Sequence, residues 1–247
     1  MRPAGYSTPS RVESSGGLGD VGTMEDRAPF LRPTWFLDSD SAPVRELAER
    51  AVGDRASDID KAVALYYAVR DGIRYDPYAM SADPHRYRAS TVTTLPAAYC
   101  IQISTLMAAA ARAVGVPSRL GFADVRNHLT SPKLRETMGS DLFIYHGFTE
   151  LFLDGQWVKA TPVFNLSLCE RFGVRPLEFS GRHDSIFHPF DAQNRKHMEY
   201  VRDRGSFAEL PFDEIMEAFR REYPALRTAF DSGSVRDEMF RPSSGDS

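Results

Sequence analysis

The chain has 247 residues, 42% hydrophobic and 26% charged, with 30 Lys and Arg against 34 Asp and Glu and a formal net charge of −4. This is the composition of an ordinary globular protein able to bury a sizeable core. The charges are interspersed without a basic face, which argues against a nucleic-acid partner. No apolar run is long enough to cross a bilayer, and two cysteines are too few for a disulfide framework.

Residues 1–23 are rich in Gly, Ser and Pro, with no hydrophobic period and no apolar leader core, and disorder is expected there. Met24 is an alternative start. Two reduced thiols and the missing leader predict a cytoplasmic protein. Residues 24–240 are expected to form a single domain, and 241–247 (RPSSGDS) a disordered tail.

The first predicted helix is Ala42–Val52, with Pro43 in its first turn and Gly53 behind it. The second is Asp58–Asp71, capped by Ser57 and closed by Gly72. A polar loop dotted with aromatics, Tyr75–Thr94, leads to a third helix. That helix opens at Cys100, is dominated by Ala and Leu, and ends at Gly115 before Pro117. Strands are predicted at Arg119–Val125, Phe143–Leu153 and Gln156–Pro162, the last two joined by the two-residue turn Asp154–Gly155. A mixed segment follows, then a helix at Phe212–Glu222. Helices first and an antiparallel sheet afterwards predict an α+β fold.

Cys100 sits at a helix start, where backbone dipoles and free N–H groups favour a thiolate and can also stabilise an oxyanion. A small buried apolar residue is the bland alternative. The Asp154–Gly155 turn sets Leu153 opposite Gln156 and Phe148 opposite Thr161. Alternation then places His146, Phe148, Glu150 and Phe152 on one face with Trp157, Lys159, Thr161 and Val163. His146 and Thr161 become diagonal cross-strand neighbours. A core histidine is the alternative for His146. Together, a helix-start cysteine and a strand histidine beside a polar strand residue have the form of nucleophile, base and orienter. The sulfur must then be accessible and close to the imidazole.

The stretch YCIQISTLMAAAARAVGVPSRLGF resembles the cysteine signature of the transglutaminase-like superfamily, and HGFTELFLDGQWVKATP resembles its histidine signature. AVRDGIRYDPY resembles the helix leading into such domains, so the resemblance spans about Asp58–Asn165. It implies a papain-like core with the nucleophile helix packed on an antiparallel sheet, Cys100 as nucleophile and His146 as base. The family usually carries an Asp before the Pro ending the second strand; here that position is Thr161. A hydroxyl can orient an imidazole but supplies no charge. Asp124 is the candidate substitute, or else a strand-end cap, with Asn127 and Asn165 as further amide candidates. TLPAAYC replaces a glycine-rich approach, and Tyr99 and Gln102 are candidate substrate contacts that alternatively pack.

His183, His188, Asp191 and His197 match no zinc spacing, so no metal or cofactor is expected. Glu150 and Lys159 are expected to face each other as a strand pair, and Trp35, Phe36, Trp157 and Phe164 to pack in the core. The resemblance implies acyl transfer from a thioester or amide. Its family includes peptidases, cross-linkers and the Dieckmann cyclases that release tetramic acids from a carrier protein in antibiotic assembly lines. Cyclisation is the leading expectation. A cysteine amidase, peptidase or transamidase and a silent binding module are the alternatives.

Overall fold

A computed structural model describes residues 6, 9, 11–12, 24–128, 135–136, 138–186 and 198–223. In chain order the elements are β1 (Arg11–Val12), α1 (Met24–Arg27), α2 (Ala42–Val52), α3 (Asp58–Gly72), β2 (Arg74–Tyr75), α4 (Ala89–Val92), β3 (Ala97–Ala98) and α5 (Cys100–Ala113). They continue with β4 (Ser118–Asn127), β5 (Leu142–Leu153), β6 (Gln156–Ala160), α6 (Leu166–Phe172), β7 (Met198–Phe207) and α7 (Phe212–Glu222).

The architecture is α+β, and α5 is its centre. Every residue from Cys100 to Arg112 is buried, as a helix that is apolar all round requires. α2, α3 and α4 pack on one side of it, and β4 and β5 on the other. The Ala108–Ala111 run lets both layers approach closely. Strand hydroxyls reach its carbonyls: Ser118 Oγ donates to Ala108 O at 2.7 Å, and Thr149 Oγ1 to Ser104 O at 3.0 Å, while Ser104 Oγ has no hydrogen-bond partner among the described residues.

The main sheet is antiparallel, in the order β1-β7-β4-β5-β6. The hairpin has the expected register, Leu153 opposite Gln156 and Glu150 opposite Lys159. It stops earlier than expected, however: Thr161 donates its N–H to Ser185 O at 3.1 Å and does not pair with Phe148. Pro162 follows and has no N–H to continue the ladder. Lys159 lies over the Phe148 ring, and Glu150 pairs with Arg119 and accepts from Ser206 Oγ, so the facing residues are not each other's partners.

Three expectations need correction. Residues 1–23 are not wholly disordered: Arg11 and Val12 pair with Phe207 and Ser206, the Tyr6 ring packs on Phe36, and its hydroxyl donates to Leu210 O. The edge of β7 offers the unpaired backbone groups that such a segment can use. The loop Tyr75–Thr94 contains α4 and a 3₁₀ turn, Pro84–Tyr87, whose start Asp83 caps through the His85 N–H. The mixed segment holds α6 and β7. β7 shows little hydrophobic alternation because Glu199–Asp203 are exposed. The tail 241–247 lies outside the described residues.

Candidate active site

Cys100 is the first residue of α5, and local chemistry sets that start. Tyr99 is extended (φ −87°, ψ 161°), and its N–H donates to Gln102 Oε1 at 2.7 Å. The Gln102 amide in turn donates to Arg86 O at 2.9 Å. Gln102 is therefore a buried cap holding the helix start against the 3₁₀ turn. The approach to Cys100 is pinned by parallel pairing of β3 with β2, Tyr75 opposite Ala98.

β5 crosses the first turn of α5 at Gly147. A Cβ there would lie 3.1 Å from Ile101 Cα and 3.4 Å from Cys100 O, so glycine lets the strand come this close without displacing the helix backbone. The close approach brings the Gly147 N–H to the Cys100 sulfur. His146 is the residue before Gly147 on β5.

A bulge precedes His146. The β4–β5 register steps between Ala123, opposite His146, and Val125, opposite Phe143, and Tyr145 takes a left-handed φ of 52°. For a bulky residue this conformation is strained. Asp124 stabilises it by accepting the Tyr145 N–H at 3.1 Å, while Arg204 of β7 grips the same carboxylate with contacts of 2.7–3.0 Å. The Arg204 guanidinium also lies 4.7 Å from the Tyr145 ring centroid, and the Tyr145 hydroxyl donates to Glu214 Oε1 at 2.5 Å.

Asp124 thus holds the backbone ahead of the imidazole rather than the imidazole. Thr161 Oγ1 is buried without a hydrogen-bond partner among the described residues, so it does not bond His146. Asn165 accepts from Tyr75 N–H and donates to Ser167 Oγ. The hydrogen bonds that Asp124 and Asn165 make go to these other groups.

Both reactive side chains are sealed. Cys100 is 0% exposed and His146 3%. Burial pushes the thiol up to about 12, opposed by the Gly147 N–H, the Tyr99 hydroxyl and the first amides of α5. Burial pulls the imidazole down to about 4. At rest the thiol and the imidazole are therefore both neutral, and the accessible sulfur expected from the sequence is not found in this form.

Tyrosines gather around the sulfur. The phenols of Tyr75, Tyr87, Tyr99 and Tyr223 are all raised first by burial and further by the charge Cys100 would carry. Tyr87 is tied to Ser81 O, and Tyr223 donates to Leu142 O and accepts from Ile144 N–H. Gly147, Arg204 and Tyr223 escaped sequence reasoning. The glycine directly after the candidate base was the one local signal; the other two come from elements distant in sequence.

Cys169 is buried and donates to Phe164 O, a packing role. Among the described residues no group of three His, Cys, Asp or Glu side chains is placed to hold a metal, and His188, Asp191 and His197 lie outside them. No helix among the described residues is long and apolar enough to cross a membrane.

Comparison with known proteins bears on this geometry. No curated protein matches the chain. Among solved structures it is similar to a Cytophaga hutchinsonii chain assigned by name only to the cysteine proteases, at 20% identity and a TM-score of 0.45. That match covers 59% of this chain and spans 45% of the other, less than half its length. The family model described as the transglutaminase-like superfamily matches residues 45–162, an interval that holds Cys100, Asp124, His146 and Thr161. Through residues 45–162 the chain carries a transglutaminase-like domain.

Proposed function

We propose that the chain performs thiol-dependent acyl transfer through Cys100, and that the acceptor is a carbanion within the same acyl chain. The observation that carries this is water exclusion: Cys100 and His146 are both buried, and tyrosine phenols lie near the sulfur. An acyl-enzyme exposed to water hydrolyses, whereas a dry one survives long enough for an internal nucleophile.

The proposed substrate is a β-ketoacyl-aminoacyl thioester on a carrier protein. Cys100 attacks the thioester carbonyl while its S–H proton passes to His146, and the carrier thiol leaves with that proton. His146 then removes a proton from the methylene between ketone and amide. The enolate attacks the Cys100 thioester, a tetramic acid is released, and the proton returns to the sulfur. Since burial keeps the resting pair neutral, proton transfer is coupled to arrival of the acyl group.

Incubation with a synthetic β-ketoacyl-aminoacyl thioester is the test. A tetramic acid supports cyclisation, and the free acid supports an amidase or other hydrolase. One observation favours a silent binding module, the sealed sulfur without a family carboxylate at Thr161. Absence of both product and Cys100 alkylation by iodoacetamide would establish that alternative.

A further inference from the structure

The missing family carboxylate removes the usual source of charge stabilisation for a cysteine–histidine pair, so the thiolate needs support from elsewhere. Tyr99 is 1% exposed, and its hydroxyl has no hydrogen-bond partner of ordinary geometry among the described residues. A buried phenol left so is costly unless it serves a group that is only sometimes charged. Its ring is fixed by packing against Tyr75, with centroids 6.4 Å apart, and its backbone by the Gln102 cap. The hydroxyl is thereby held beside the Cys100 sulfur.

We infer that Tyr99 is a catalytic hydrogen-bond donor to the Cys100 thiolate, completing a cradle with the Gly147 N–H and the first amides of α5. When the thiol proton passes to His146, the sulfur accepts the Tyr99 O–H; the phenol keeps its proton throughout. Tyr87 and Tyr223 face the same sulfur, but their O–H groups are committed to the carbonyls of Ser81 and Leu142. Tyr75 is a further titratable neighbour, and the Cys100 thiol is shifted by burial, the Tyr99 hydroxyl and backbone N–H groups. This rests on the acyl-transfer role of Cys100 and adds to it the means by which a buried thiolate forms without a neighbouring carboxylate.

The test is the pH dependence of Cys100 alkylation by iodoacetamide, read by peptide mass spectrometry to separate Cys100 from Cys169. Tyr99→Phe keeps the ring and is expected to slow alkylation about tenfold at a fixed neutral pH, with the rate recovered at higher pH. Global replacement of tyrosine by the more acidic 3-fluorotyrosine, which covers the case of a misfolded Y99F, is expected to speed alkylation at the same pH. A Y99F profile superimposing on the wild type, or no response to fluorotyrosine, would overturn the inference. The acyl-transfer role is scored separately, by acylation of the wild-type protein with the thioester: acylation with an unmoved Y99F profile removes only the hydroxyl's part.

Discussion

Replacing Asp124 by Asn separates two roles that one carboxylate could play. The Asp124–Arg204 pair has three N–O contacts of 2.7–3.0 Å, and both side chains are under a tenth exposed. A surface pair would contribute at most about 1 kcal/mol. Here Asp124→Asn leaves a buried guanidinium without its anion, which costs about 3–5 kcal/mol. The amide oxygen still accepts the Tyr145 N–H, so the bulge keeps its hydrogen bond while losing its anchor to β7. Urea unfolding measures the loss. Arg204→Met should produce a comparable loss, and the double variant should recover part of it, with a coupling of about 0.5–3 kcal/mol. Acylation rates should fall in parallel for both single variants, since each loosens the backbone before His146. A small stability loss in D124N, under about 1 kcal/mol, with a rate fall near 10⁴-fold that R204M does not share, would refute this. Asp124 would then act on the imidazole itself, as a triad acid does.

Cys100→Ala should abolish acylation, and His146→Ala should slow it by about three orders of magnitude or more, as nucleophile–base units do; wild-type-like rates in either would defeat the mechanism. Thr161→Val removes a buried hydroxyl that has no hydrogen-bond partner among the described residues, so unfolding free energy should stay within about 1 kcal/mol of wild type or rise; a loss above about 2 kcal/mol would reveal an unrecognised partner. Stability should also depend on pH through His146. The folded imidazole sits near 4 and the unfolded one near about 6.5, so acid protonates the unfolded chain first. Stability therefore declines as pH falls through that window, by up to about 3 kcal/mol, and levels off below it. His146→Ala should flatten this slope in urea titrations across the same pH range; an unchanged slope would assign it to other groups.

The elements that carry chemistry were legible because their signals are local. Ala42–Val52 and Phe212–Glu222 were bounded by Pro and Gly or by a following Pro, the Asp154–Gly155 turn fixed the hairpin register, and Cys100 fell at a helix start. β7 was not legible, because five consecutive exposed residues carry no buried stripe and its place between β1 and β4 depends on strands far away in sequence. The surroundings of Thr161 and Asp124 are not legible for a related reason: strand pairing ends at Ala160, before Thr161, and Arg204 arrives from β7 to occupy the Asp124 carboxylate.

The sequence by itself determined the α+β order, the cysteine at the helix start and the histidine on the hairpin. Each is written in spacing and turn chemistry over short stretches. Only the tertiary structure decided that Gly147 brings the strand against the sulfur, that Asp124 belongs to Arg204, and that the pair rests neutral and sealed under tyrosines. Burial and the partner of a charge are set by which distant segments pack together, and no local pattern encodes them.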